Sequence, residues 1–348
     1  MGRFNCVNVL VFSDLQADEG SLRLRSQPDI PLQRWRTERF YALAAELVES
    51  EGCQAVWDLG DTTDNRTSLA IRTINVVTGG CAKLTRGLVK PYCLKLIGNH
   101  EQTAKTQDNS CASLFSPYFS VVEDRLVVVA GKTSVVCLSF PYDNAAAAAW
   151  LAETVAREKQ RGQTVIVIGH AKIAGAKLNS GTATDGIPTE AFASADLALF
   201  GHVHKRQAIG KNGYYVGSPF QQDFGEAADP EKATAILDTE TLALRWVALP
   251  GFPRYKTICV DELERAAKSD DVLNVVIRTP AEAERFYAHP ASQGVEPVYA
   301  LDEVAATDEP KDVELGRTFE DTAEDYVKAV PSPDADRDEL LAAARALQ

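Results

Sequence analysis

The chain has 348 residues, which is enough for one large folded domain and a smaller one. Its hydrophobic fraction of 45% and charged fraction of 24% are ordinary for a protein that folds in water. No apolar run approaches the roughly 20 residues that a membrane helix needs, so no membrane role is expected. The net charge of −13 argues against a basic surface that coats nucleic acid unaided, but not against a nucleic-acid enzyme whose metals or partner supply positive charge.

The seven cysteines are scattered without any C-x-x-C spacing, and several lie in apolar runs. They are predicted to be reduced core residues of a cytoplasmic protein. The N-terminal MGRFNCVNVLVF runs directly into an apolar strand and has no pattern of a cleavable signal.

In the first third of the chain, apolar strands alternate with helices and end in polar residues. The strand VLVF leads into Asp14, and a loop rich in Ser, Pro and Arg follows. The next elements are a helix over 35–51, the strand CQAVWDLG ending at Asp61, and a helix over 68–83. The strand PYCLKLIG then runs into the polar group Asn99–Glu101.

The middle of the chain adds an antiparallel pair of strands, RLVVVAG and SVVCLSFP, and an alanine-rich helix, NAAAAAWLAETVAREKQR. Two buried strands follow, of which TVIVIGH ends at His170 and LALFGHVH ends at His204. A strand in NGYYVGSPF and a hairpin formed by ATAILDTE and TLALRWVAL complete this part. These elements place residues 1–250 in one large catalytic domain.

After Pro250 the pattern changes. The strand YKTICV, a helix over 261–268, the strand VLNVVIRT and a further short helix predict a small α/β domain over 251–310. Residues 311–348 form an acidic tail whose last helix, over 336–347, carries an apolar stripe. We expect this helix to dock a partner, with packing against the chain's own small domain as the alternative.

Potential ligands follow five of the predicted strands, and four of the five histidines lie at these strand ends. Taken singly, each such residue is better explained as a turn residue, a helix cap or a buried core histidine. Taken together, they offer about seven oxygen and nitrogen donors, a mixture suited to Mn²⁺, Mg²⁺, Fe or Zn²⁺. That number exceeds the needs of one ion and fits two ions that share a carboxylate. The sequence therefore predicts a dinuclear metal site.

The order of these motifs is D-x-Q, G-D-x-x-D, G-N-H-E, G-H and G-H-x-H, and it resembles the calcineurin-like metallophosphoesterase superfamily over residues 7–205. The segment YYVGSPFQQDFGE is similar to the Gly-Ser strand and Phe/Glu turn of the nuclease subunit in SbcCD-type DNA-repair and phage recombination nucleases. The resemblance implies an α/β fold in which a two-sheet β-sandwich is flanked by helices, in four αββα layers, with a small α/β capping domain. It also implies a bacterial or phage-infected host cytoplasm.

The resemblance implies a role for each matching position. The metal ligands would be a bridging carboxylate and two sets of three, namely Asp61 as the bridge, Asp14, Gln16 and His204 at the first site, and Asn99, His170 and His202 at the second. His100 would contact the scissile phosphate. Asp64 would orient the site, and a turn or helix cap is an equally good interpretation of this residue.

The chemistry of this donor set is phosphodiester hydrolysis. Two cations about 3.5–4 Å apart neutralise the diester, lower the pKa of a bridging water and orient it in line with the leaving oxygen. His100 can donate a proton or hydrogen bond as charge builds on the phosphoryl group. We expect Mn²⁺, or alternatively Mg²⁺, as the metal, DNA as the substrate and an SMC-like ATPase subunit as the partner, and a homodimer is left open.

Two other functions remain open at this point. The chain could be a nucleotide or small-molecule phosphodiesterase or phosphatase, or a non-catalytic scaffold whose site Gln16 has disabled. Gln16 stands where the resemblance has a histidine, and it is predicted to be an altered ligand rather than a turn residue. Its amide oxygen is a neutral, hard donor, which favours Mn²⁺ or Mg²⁺ over Zn²⁺ at the first site.

Overall fold

The computed structural model describes residues 8–103, 110–229 and 232–299. Most of the strands belong to two six-stranded mixed sheets. The strands are β1 Asn8–Phe12, β2 Ala55–Asp58, β3 Leu94–Leu96, β4 Ser120–Val122, β5 Arg125–Ala130, β6 Thr133–Leu138, β7 Thr164–His170, β8 Leu197–Gly201, β9 Gln207–Ile209, β10 Gly213–Tyr215, β11 Thr234–Asp238, β12 Leu244–Val247, β13 Tyr255–Cys259, β14 Val272–Ile277 and β15 Glu296–Tyr299.

The α-helices of the described residues are α1 Leu32–Ser50, α2 Ile71–Leu84, α3 Ala112–Phe115, α4 Asn144–Gln160, α5 Leu263–Ala266 and α6 Pro280–Ala288. Within the described ranges, no helix has the length and apolar character that crossing a bilayer requires. Short 3₁₀ turns connect several elements, and two of them, Asn99–Glu101 and Phe224–Glu226, lie at the predicted site.

Each of the two large sheets contains four neighbouring parallel strands. In the first sheet, with the order β12-β11-β1-β2-β3-β4, strands β1 to β4 are parallel. In the second sheet, with the order β5-β6-β7-β8-β10-β9, strands β6, β7, β8 and β10 are parallel. Because parallel strands end at the same edge of a sheet, the loops after β1, β2, β3, β7 and β8 bring the predicted ligands together.

Alternation of side chains along the strands produces four layers. In β1, Val9 and Val11 belong to the apolar core between the sheets, whereas Leu10 packs in a second core with Phe40 of α1. The second sheet repeats the pattern, since Ile166 of β7 belongs to the core between the sheets and Val167 to the core that includes α4. The predicted fold class, a β-sandwich of two sheets flanked by helices, is confirmed.

Two predicted helix boundaries differ from the structure, and local interactions explain why. Helix α1 begins at Leu32, directly after Pro31, whose φ of −58° is compatible with the residue before a helix. Helix α2 begins three residues later than predicted, at Ile71. The Asn65 side chain accepts hydrogen bonds from the backbone N–H groups of Thr67 and Ser68, which forms a turn that competes with a helix.

The three-stranded sheet β13-β14-β15 occupies part of the predicted small domain. Strands β13 and β14 are parallel, but the predicted helix over 261–268 is reduced to the single turn α5, after a 3₁₀ turn that ends at Glu262. Most of this sheet lies in the same compact unit as the two large sheets, a unit that includes described residues up to Val276 and Arg285–Val298. A second unit contains Ile277–Glu284 and Tyr299 among the described residues. The predicted tail over 311–348 and its helix lie outside the described residues.

A buried ionic network supports the loops that follow β2 and β3. The carboxylate of Glu101 is 2.8 Å from the Nζ of Lys95 and accepts hydrogen bonds from the backbone N–H groups of Asp61, Thr62 and Gly98. Lys95 also lies 3.3 Å from Asp58 and is fully buried. Burial alone would lower the pKa of Lys95, but the carboxylates of Asp58 and Glu101 raise it, so this side chain is an ammonium ion.

Replacing Lys95 by alanine should destabilise the fold by about 3–5 kcal/mol, because two carboxylates would remain buried without a cation. The measurement is urea unfolding followed by circular dichroism. Lys159→Ala is the matched control, since Lys159 pairs with Asp196 at the surface and its loss should cost at most about 1 kcal/mol. Similar destabilisation by the two substitutions would contradict a special role for the buried network.

Candidate metal centre

Four residues in the loops at the site have a left-handed backbone conformation, with positive φ. Asp14, Gln16, Asp61 and His202 have φ values of 56°, 49°, 53° and 100°, and the only other described non-glycine residue with positive φ is Leu242. This left-handed region costs L-residues free energy, of the order of 1–3 kcal/mol each, and persists where the surrounding structure enforces it. Four predicted ligands therefore project from turns that the fold holds in one conformation.

The first predicted set, Asp14, Gln16 and His204, lies together. The Nε2 of His204 is 3.1 Å from the side-chain amide nitrogen of Gln16 and 3.8 Å from Oδ1 of Asp14. An amide oxygen and nitrogen can exchange places by a 180° rotation, so the oxygen of Gln16 can face the same point. The structure therefore places Gln16 beside the donor atom of His204, as expected for an altered ligand.

The second predicted set forms a tighter cluster. The Oδ1 atom of Asn99 is 2.7 Å from Nδ1 of His202 and 3.3 Å from Nε2 of His170. The same Nε2 of His170 is 3.1 Å from Oδ2 of Asp61. Donor atoms of Asp61, His170 and His202 all lie within 4.8 Å of one another, which is close enough to hold one ion.

The two cluster histidines have opposite shifts in pKa. Burial would lower the pKa of His170, but the facing carboxylate of Asp61 raises it to about 9. Burial and the neighbouring charge of His170 lower the pKa of His202 to about 3, which leaves His202 with a free lone pair. The Nδ1–H of His170 donates to the carbonyl of Leu59 at 2.7 Å, so Nε2 is the nitrogen aimed at Asp61.

Taken together, the donor set fits two divalent ions. Carboxylate, amide and imidazole donors converge in two adjacent groups, and the backbone links them because the N–H of Gln16 donates to the carbonyl of Asp61 at 2.9 Å. Asp14 joins the groups from the other side, since its carboxylate accepts the backbone N–H of His202 at 3.1 Å. These residues could hold two ions, and the bridging role of Asp61 stays a prediction, since its carboxylate is seen beside His170 of the second set.

His100 lies beside the cluster and is paired with Asp64. Its Nδ1 is 2.9 Å from Oδ1 of Asp64 and 3.0 Å from the Asp64 carbonyl, and its Nε2 is 4.0 Å from Oδ2 of Asp61. The hydrogen bond to Asp64 is the main cause that raises the pKa of His100 to about 9, against the effect of burial. Asp64 therefore holds the imidazole of His100, and its part in orienting a catalytic site stays a prediction.

Glycines let the ligand loops approach closely. A Cβ atom at Gly98 would overlap Oδ1 of Asp61, and one at Gly60 would overlap Nδ1 of His170. Gly60 also has a φ of 107°, which side chains rarely tolerate. The glycines that precede these ligands in the sequence are thus required by contact between the loops.

Several contacts that support the site were not predicted from the sequence. Glu101 was grouped with the possible ligands, but its oxygens are occupied by Lys95 and backbone N–H groups. Glu226 contacts His204, and Gln222 donates to the carbonyl of Asp14. The segment YYVGSPFQQDFGE contains both of these latter residues, so its likeness to a nuclease motif was the available signal.

Asp61→Ala and His100→Ala should differ in kind. Asp61→Ala removes the carboxylate that is predicted to bridge the metals, so bound Mn²⁺ and hydrolysis of bis-p-nitrophenyl phosphate should both be lost. His100→Ala should keep the metal and lose most of the turnover, because the predicted role of His100 is to act on charge that develops in the transition state. Metal content after dialysis, measured by mass spectrometry, separates the two cases. An equal loss of metal in both variants would show that the role given to His100 is wrong.

Gln16 provides a graded test of the first site. Gln16→His should lower the Mn²⁺ concentration needed for half-maximal hydrolysis, and Gln16→Ala should raise it, because imidazole binds this ion more tightly than an amide oxygen does. The measurement is a metal titration of wild type and both variants at one pH. Equal midpoints would mean that Gln16 does not touch the metal.

The chain is similar to two solved structures at low identity and matches one protein family. One solved structure, 13% identical with a TM-score of 0.40, covers 70% of this chain and 100% of its own. A dimetal phosphatase from Danio rerio, 14% identical with a TM-score of 0.46, covers 68% of this chain and 93% of its own. No curated protein gives a significant sequence match. The family model described as calcineurin-like phosphoesterase matches residues 7–206, and the chain belongs to this family of metal-dependent phosphoesterases.

Proposed function

We propose that the chain is a DNA nuclease, the phosphodiesterase subunit of an SbcCD-like complex. The observation that carries the choice of DNA is a group of lysines in the loops that follow β7 and β8, the strands that lead to His170 and His202. Lys172, Lys177 and Lys205 are exposed, and within the described residues no carboxylate forms an ion pair with them. A polyanion is the substrate class that such a group attracts.

Backbone contacts bring these lysines to the site. Lys172 follows His170 by two residues, and its charge is one of the causes, after burial and His170, that lower the pKa of His202. The side chain of Gln207 accepts from the N–H of Lys177 and donates to the carbonyls of Lys177 and Lys205. The loop after β7 is thereby held against the loop after β8. A flanking phosphate of a bound strand would meet positive charge on this side.

The catalytic work of the side chains follows from their positions. Two divalent ions, when bound, supply charge neutralisation and an activated water. Asp61 and the two ligand sets fix where the scissile phosphate can bind. His100 is held by Asp64 through Nδ1, so its Nε2 is free to donate to a phosphoryl oxygen or to the leaving group.

The attachment of the small sheet β13-β14-β15 near the first site is consistent with a capping domain, which a nuclease would use to contact DNA. Arg36 of α1 donates to the carbonyl of Pro253 at 3.0 Å and to the hydroxyl of Tyr255 at 3.3 Å. The N–H of Tyr255 donates to the side chain of Gln221 at 2.8 Å, in the turn that also carries Glu226. The sheet is therefore fixed to the loop behind the first site, where a capping domain of a nuclease would contact DNA.

A cavity favours a second candidate function. A space of about 270 Å³ opens beside Gln16 and Asp64 and is lined by Gln33, Gln222 and Tyr255 among others. That volume is close to the lower limit of small-ligand pockets, and its amide and phenol groups could bind a base or sugar. A nucleotide phosphodiesterase is therefore the alternative to a nuclease.

The deciding experiment compares substrates. Purified protein with Mn²⁺ is incubated with linear DNA, with a cyclic dinucleotide and with bis-p-nitrophenyl phosphate. Cleavage of DNA supports the nuclease, and cleavage of the dinucleotide without DNA supports the alternative. Failure with all three substrates would support a non-catalytic scaffold and overturn both proposals.

The lysines give a sharper test of DNA as the substrate. Combining Lys172→Ala, Lys177→Ala and Lys205→Ala should weaken DNA binding and reduce the slope of log Kd against log salt by about two to three. DNA cleavage should fall far more than hydrolysis of bis-p-nitrophenyl phosphate, which has no flanking phosphates. Lys132→Ala, in the β5–β6 turn at the opposite end of β7, is the matched control. An unchanged salt slope in the triple variant would contradict the proposed DNA path.

We also propose an SMC-like ATPase as the partner, bound through residues 311–348. Deleting residues 317–348 should spare diester hydrolysis and abolish co-purification with that ATPase. Retained co-purification would contradict docking by this segment. An insoluble product would instead favour packing of its helix on the chain itself.

A further inference from the structure

A carboxylate outside the predicted ligand set lies directly behind His204. Glu226 is 2% exposed, and its Oε1 is 2.6 Å from Nδ1 of His204. Its Oε2 accepts the backbone N–H of Gln222 at 3.1 Å and is 2.7 Å from Nζ of Lys232. The carboxylate is thus fixed on both oxygens, and one of them is aimed at the imidazole.

This contact decides which nitrogen of His204 can bind a metal. A neutral imidazole carries its proton on one nitrogen, and an acceptor at Nδ1 holds the proton there. The lone pair then lies on Nε2, the nitrogen that faces Gln16 and Asp14. Without the carboxylate, the proton could move to Nε2 and block that lone pair.

At the second site, the group that accepts the Nδ1–H of the histidine carries no charge. His170 donates its Nδ1–H to a neutral backbone carbonyl, that of Leu59, whereas His204 faces an ionised carboxylate. The first site is also the one that has the neutral amide of Gln16 among its donors. The second site also has a neutral amide, that of Asn99, so the carboxylate behind the histidine is what distinguishes the first site.

We infer that Glu226 is a positioning residue that holds His204 in its metal-binding tautomer and adds negative charge that offsets the neutral Gln16 ligand. The inference rests on the metal-dependent activity proposed above, but not on DNA as the substrate. Lys232 supports the arrangement, because its Nζ donates to the carbonyl of His204 at 2.9 Å and to Oγ of Ser218 at 2.9 Å.

Two substitutions of Glu226 separate its effect on the His204 tautomer from the effect of its negative charge. Glu226→Leu removes the acceptor, and Glu226→Gln keeps an oxygen that can accept while removing the charge. The metal-free proteins are compared by ¹H–¹⁵N correlation of the imidazole rings, which reports the tautomer. We expect the Nδ1–H form of His204 in wild type and in Glu226→Gln, and its loss in Glu226→Leu.

Mn²⁺ binding, measured by calorimetry without substrate, provides the second readout. We expect affinity at the weaker of the two sites to fall by about 10- to 100-fold in Glu226→Leu and by less in Glu226→Gln. Adding Gln16→His to Glu226→Gln should restore much of the lost affinity. Glu158→Leu, which removes a buried carboxylate of α4 that pairs with Arg161, is the control and should change neither readout.

The outcomes separate this inference from the proposed nuclease. Unchanged Mn²⁺ affinity in both Glu226 variants would overturn the inference, whatever the substrate is. If Mn²⁺ affinity falls in the Glu226 variants but the wild-type protein does not cleave DNA, only the nuclease proposal is overturned. If Glu226→Leu does not fold by circular dichroism, Glu226→Gln and its rescue by Gln16→His decide the matter.

Discussion

The carboxylate of Glu101 holds the centre of the molecule together. It is buried, and a buried ion is stable only if its hydrogen bonds are complete. Three backbone N–H groups and Lys95 complete them, and two of those N–H groups belong to Asp61 and Thr62. The loop that carries Asp61 is therefore fixed to the loop after β3 through the buried carboxylate of Glu101.

The two halves of the site differ in how they concentrate negative charge. At the second site, the carboxylate of Asp61 lies within hydrogen-bond distance of His170 itself. At the first site, the carboxylate of Asp14 lies 3.8 Å from Nε2 of His204, and a second carboxylate, that of Glu226, lies behind the imidazole. A carboxylate behind the ring acts on the donor nitrogen indirectly, by polarising the imidazole.

The sequence predicted the fold and the positions of the site because both depend on local patterns. Apolar strands that end in Asp61 or His170 are visible in a window of ten residues, and parallel strands must bring such ends together. The start of α2 could not be predicted, since the local sequence is compatible both with the turn at Asn65 and with an earlier start of the helix. Lys95 and Glu226 were missed for another reason. Their roles come from contacts with residues distant in sequence, and the one local signal, the likeness of the segment around Glu226 to a nuclease motif, does not say what Glu226 contacts.

The left-handed backbone at Asp14, Gln16, Asp61 and His202 also restricts which amino acids can replace these residues. Branched side chains such as Val, Ile and Thr are strongly disfavoured at positive φ, whereas Asn, Asp and His are tolerated. The tolerated residues are also those that bind metals. Random substitution at these four turns is therefore filtered, by conformation alone, toward residues that can still coordinate an ion.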